Sequence, residues 1–150
     1  MENEFWLNLS SKDLSKAKDF FVSLGFTMND QHQVPNMLSM LMGKKNTVLN
    51  LFTEGAFKGF IGGHQITDSS QSNEVLFSIG AASAEEVDDI AQKAEKAGGT
   101  IYGKPGYKDG WMYGCGFTDL DGLLGGVLDD WAKGIELDSG GEKAIMLSVG

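Results

Sequence analysis

Hydrophobic and polar positions alternate from residue 5 onward. Phe5, Leu7 and Leu9 fall on one side, and Trp6, Asn8 and Ser10 on the other. A period of two marks a half-buried strand, because successive side chains point to opposite faces. The period then lengthens. Leu14, Ala17, Phe20, Phe21 and Leu24 recur at helical spacing, which predicts an amphipathic helix over 12–24 that stops at Gly25. Strands are predicted at 26–30, 37–42 and 47–53, with Gly43-Lys44-Lys45-Asn46 as a hairpin turn. The stretch 54–73 is polar and contains glycine. Phe57, Phe60 and Ile61 within it predict one short helical turn.

After residue 73 the order restarts. Val75, Phe77 and Ile79 alternate within 74–80 and are expected to pack against helices. Ser83 with Glu86 three residues later forms a capping box. The helix it opens carries Val87, Ile90, Ala91, Ala94 and Ala97 as its buried stripe and ends at Gly98-Gly99. Strands are predicted at 100–103, 111–117 and 123–129, and the tail 131–150 has no place in the scheme.

Strand, helix, glycine and three strands thus occur twice, over about 5–53 and 74–130. One such unit cannot cover its own sheet, so pairing two is physically sensible. The predicted class is α/β (α+β): two βαβββ half-modules in one domain, 1–150. Their strands form a curled, groove-bearing mixed sheet with helices on its outer face.

Composition narrows the partners. With 41% hydrophobic and 22% charged residues, 150 residues suffice for one packed core. Twelve basic against 21 acidic residues give a net charge of −9, and there is no arginine. That argues against a nucleic-acid partner and against an anionic membrane surface. It favours a neutral or cationic ligand over a polyanion. No apolar run approaches the roughly 20 residues of a membrane span. Met1-Glu2-Asn3-Glu4 lacks the basic start of a signal peptide, and the single cysteine, Cys115, allows no internal disulfide. A cytoplasmic location is expected on both counts.

Several short motifs resemble the glyoxalase/bleomycin-resistance/extradiol dioxygenase (vicinal oxygen chelate) superfamily. Lys12-Asp13-Leu14, Phe20-Phe21 and Leu24-Gly25-Phe26 are similar to the opening of those proteins. Phe117-Thr118-Asp119-Leu120-Asp121-Gly122 is similar to the turn before their last strand, and Tyr113-Gly114 resembles a glyoxalase-like branch poor in metal ligands. The resemblance spans about 5–130 and implies the two-module fold and a homodimer.

Enzymes of that superfamily hold a divalent metal with His, Gln or Glu from four strands. The resemblance puts those positions at Trp6, Asn50, Glu74 and Gly126, with Asn8 as a neighbouring choice in the first strand. Only Glu74 is a good ligand there. His32 and His64 lie outside the expected strands. No metal or other cofactor is therefore expected. The superfamily's metal-free members bind antibiotics between aromatic side chains. The expected function is likewise small-molecule binding in the groove, with Trp6, Asn8, Asn50, Phe52, Glu74 and Trp111 as candidate ligand-binding residues. Phe57 and Phe60 would stand on a covering loop. The alternative is a lyase or isomerase of the lactoylglutathione lyase type, with Glu74 as base or metal ligand. Gly114-Cys115-Gly116 lacks the features of a phosphate loop, and Cys115 reads as a small buried residue.

Overall fold

The computed structural model describes residues 4–108, 112–122, 124–129 and 145–149, the last two segments as backbone alone, and leaves the His32 side chain undescribed. The chain divides into two compact units, Met1–Thr67 and Asp68–Gly150, and each builds its own sheet. The class is mixed α+β.

In the first unit, β1 (Trp6–Ser11) leads into α1 (Leu14–Ser23), then β2 (Thr27–Met28), β3 (Met37–Met42), β4 (Thr47–Thr53) and α2 (Glu54–Phe60). The sheet order is β1-β4-β3-β2, with β1 parallel to β4 and the other pairs antiparallel. Asp13 caps α1 by accepting the Lys16 N–H at 3.0 Å. Gly25, at φ +94°, takes the left-handed step that ends the helix. Phe20 and Phe21 of α1 are at most 1% exposed, and Met40, Leu49 and Leu51 of the sheet at most 2%. Complete burial of such side chains contributes about 1.5–3 kcal/mol each.

The second unit repeats the plan: β5 (Val75–Gly80), α3 (Ala84–Lys96), β6 (Thr100–Lys108), β7 (Met112–Thr118) and β8 (Leu124–Asp129). Ser83 caps α3 through the Glu86 N–H, while the Glu86 carboxylate accepts the N–H of Ala82. Val87, Ile90, Ala91 and Ala94 are the buried residues of α3, which packs on β6, β7 and β8. Cys115 is buried with them, its thiol 3.9 Å from the Val87 carbonyl. On β5, Val75, Phe77 and Ile79 are half-buried and alternate with exposed neighbours.

Three elements depart from the pattern-based expectation. The second strand shrinks to Thr27–Met28, because Asn29 turns its amide toward Ser39 and a 3-10 turn follows at Asp30–His32. The sixth runs on to Lys108 through Pro105. It is an edge strand with two register shifts, so the missing proline N–H interrupts no interior ladder. The tail contributes β9 (Ile145–Val149), antiparallel to β5 and β8. The rest of 131–150 lies outside the described residues.

Candidate functional site

The site follows from the alternation of β4. Leu49 and Leu51 turn toward α1, which sends Val48, Asn50 and Phe52 to the opposite face. Register sets their neighbours. Asn50 stands beside Asn8 of β1 and Ser39 of β3, Val48 beside Trp6 and Leu41, and Phe52 beside Ser10 and Met37. A polar row therefore crosses the sheet between two largely apolar ones. Asn29 extends it, donating from Nδ2 to Ser39 Oγ at 3.2 Å and from its backbone N–H to the Ser39 carbonyl at 2.9 Å. Gln33 Nε2 donates to the Asn29 carbonyl at 3.0 Å, which pins this end of the row.

That face is the floor of a cavity of about 970 Å³, whose described lining residues run from Glu4 to Phe60. Its volume is at the upper end of the roughly 300–1,000 Å³ of small-molecule pockets. The helix α2 follows β4 without a break, capped by Thr53 Oγ1, and brings Phe57 and Phe60 to the cavity margin. The Phe60 ring meets Phe52 edge-on, centroids 5.1 Å apart. Phe60 is 71% exposed and Trp6 55%, so both aromatic faces remain available on the cavity side.

The floor itself is uncharged. Asn50 Nδ2 donates to Asn8 Oδ1 at 2.9 Å, while the buried Asn50 Oδ1 has no hydrogen-bond partner among the described residues. The charged groups lining the cavity are Glu4, Asp30 and Lys45. Among the described residues, the ionisable groups with a resolved shift lie in the second unit. Tyr113 donates to Asp88 Oδ1 at 2.7 Å, and that bond holds its pKa up to about 12. Burial, and then the neighbouring Cys115, raise Tyr102 above its ordinary range.

Of the candidate residues, Trp6, Asn8, Asn50 and Phe52 line this one cavity. Glu74 belongs to the second unit, where it is an exposed residue immediately before β5. Trp111 lies outside the described residues. Gly126 pairs with Gly116 and Ser78 in the second sheet. His64 is exposed in the segment after α2. Sequence patterning does not single out Ser39, Asn29 and Met37 as site residues. A serine at the middle of Met37-Leu38-Ser39-Met40-Leu41-Met42 is the available signal, since burying a hydroxyl in such a run needs a hydrogen-bonding reason.

The donor chemistry does not fit the divalent ion of the metal-dependent superfamily enzymes. The floor offers amide and hydroxyl oxygens, and Asn8 Oδ1 already accepts a hydrogen bond. Among the described residues, no three of His, Cys, Asp and Glu are grouped as a metal site would require.

The model of the Glyoxalase/Bleomycin resistance protein/Dioxygenase superfamily matches residues 5–124. No curated protein matches the chain. Among solved structures, hypothetical protein SA1046 from S. aureus is 32% identical with a TM-score of 0.73, over 85% of this chain and 94% of that one. A glyoxalase/bleomycin resistance protein/dioxygenase family enzyme from Burkholderia phytofirmans PsJN is 14% identical with a TM-score of 0.70, over 82% and 94%. TnmS3, an antibiotic binding protein from Streptomyces sp. CB03234, is 19% identical with a TM-score of 0.60, over 87% and 97%. At their identities the last two speak for the fold alone.

Proposed function

This chain belongs to the glyoxalase/bleomycin resistance protein/dioxygenase superfamily, and from that premise we propose that it is a metal-independent binder of a flat organic molecule, held in the cavity of its first unit. The observation that carries this reading is the composition of the cavity. An uncharged polar row, Asn8, Asn50 and Ser39, lies between the rows that carry Trp6 and Phe52, with Phe57 and Phe60 at the cavity margin. Apolar walls with a few fixed polar groups are what a small-molecule site requires. Aromatic faces supply stacking area, whereas a general acid, base or nucleophile would have to be buried beside the ligand. Among the described residues, no carboxylate, histidine or cysteine stands on the floor beside the Ser39 hydroxyl to serve as acid or base. The antibiotic-binding protein TnmS3, of similar fold, supports the same reading.

The protein is further proposed to act as a cytoplasmic homodimer. Among the described residues, no helix is long and apolar enough to cross a membrane.

Calorimetric titration of the untagged protein with metal-free bleomycin and with 2-quinolone tests the binding function. Binding of at least one probe, unchanged by EDTA and weakened at least tenfold by Phe52→Ala, is expected. Failure of both probes to bind would overturn the reading. So would near-stoichiometric zinc, nickel or manganese in elemental analysis, together with binding that EDTA abolishes.

A further inference from the structure

One acceptor on the cavity floor is unmatched, and it specifies what a ligand must bring. Asn50 sits in the middle of Val48-Leu49-Asn50-Leu51-Phe52 and is only 6% exposed. Its Nδ2 donates to Asn8 Oδ1, and its Oδ1 is buried without a partner among the described residues. An acceptor removed from water and given no donor destabilises the fold. A leucine at this position would carry no such cost, and leucines already stand on either side. The amide therefore has a use that folding does not supply.

We propose that Asn50 Oδ1 accepts a hydrogen bond from a ligand N–H, and that the ligand is a flat, uncharged lactam or cyclic amide. This deepens the binding function proposed above and rests on it. Asn8 is the register partner of Asn50 on the adjacent parallel strand, about 4.8 Å away in the hydrogen-bonding direction. Its Oδ1 is taken by the Asn50 amide, and its Nδ2 is a further donor of the polar row. A ring N–H next to a ring carbonyl presents the complementary pair on one edge, and its faces suit stacking on Trp6 and Phe52. Charge argues the same way. An anion would meet the Asn50 lone pairs with no cation on the floor, and Glu4 and Asp30 outnumber Lys45 among the charged lining residues. A cation would give up its water with no carboxylate on the floor to replace it.

The test uses two isosteres, 2-quinolone and coumarin, which share shape and carbonyl but differ in a ring N–H against a ring oxygen. Wild-type protein is expected to bind 2-quinolone at least tenfold more tightly than coumarin. Asn50→Leu should erase that preference and, with no ligand present, melt at a higher temperature than wild type. Equal binding of the two compounds to wild type would overturn the Asn50 assignment while leaving the binding function standing. Binding of neither, while bleomycin binds, would do the same. A lower melting temperature for Asn50→Leu would make Asn50 a structural residue and also overturn it. Failure of every aromatic probe would remove the binding function as well.

Discussion

Single side chains in the second unit carry consequences that titration and substitution can read. Tyr113 donates to Asp88, so its neutral form is the one the fold stabilises, and its pKa is raised to about 12 from an ordinary value near 10. The bond therefore contributes fully below about pH 10 and is lost as pH rises through about 12. Spectrophotometric titration of the phenolate band should find Tyr113 ionising late. Asp88→Asn should bring it back toward the ordinary value, because the negative acceptor is gone. An unchanged titration curve would deny the bond its role. Two glycines make a second contrast. A β-carbon on Gly25 would meet nothing within 4 Å, but the residue stands at φ +94°. Gly25→Ala should thus cost about 1–2 kcal/mol of backbone strain. A β-carbon on Gly116 would fall 2.4 Å from the Tyr102 ring, yet that ring ends a flexible side chain that is 52% exposed. Gly116→Ala should cost less than Gly25→Ala in urea melts, and should lower the Tyr102 pKa as the ring swings into water. A larger loss for Gly116→Ala would mean that Tyr102 cannot move.

Among the elements, α1 and α3 depend on side-chain caps, of which the Ser83 box is legible in the sequence. Asp13→Ala removes the acceptor for the Lys16 N–H, and Ser83→Ala the acceptor for the Glu86 N–H. Each should destabilise by about 1 kcal/mol, seen as a melting shift of a few degrees. Replacement by Asn at either position should restore most of the loss, and a loss that Asn leaves unchanged would point away from capping. These elements are legible because one face of each is apolar and the spacing of that face is unambiguous. The same alternation sends Trp6, Asn8, Asn50 and Phe52 to one side of their strands, so four residues of the cavity can be picked out by spacing and resemblance together. The remainder is hidden for identifiable reasons. Ser39 and Asn29 form part of the floor through register and one side-chain bond, and register is a long-range property. The extension of β6 through Pro105 depends on its being an edge, which no local pattern reveals. Glu74 is a candidate through the resemblance, which puts a ligand position there, and the structure places it as an exposed residue of the second unit, just before β5.

At the scale of the whole molecule, net charge opposes the association that exposed apolar side chains favour. Phe5, Phe60 and Tyr107 are each more than 70% exposed, and Leu76 and Tyr102 are about half exposed. Large apolar surface of this kind is usually covered by a partner, and a two-fold copy of the same chain is the commonest one. Each copy nevertheless carries a net charge of −9. Two such copies repel until salt shortens the reach of the field, from about 20 Å near 20 mM to about 6 Å near 300 mM. The proposed dimer should consequently tighten with sodium chloride. Light scattering at micromolar concentration should return a mass close to twice the 16.1 kDa of one chain at the higher salt, with a measurable monomer fraction at the lower. The contrary dependence, dissociation by salt, would show that ion pairs and not apolar contacts hold the copies together. A single-chain mass at both concentrations would discard the dimer.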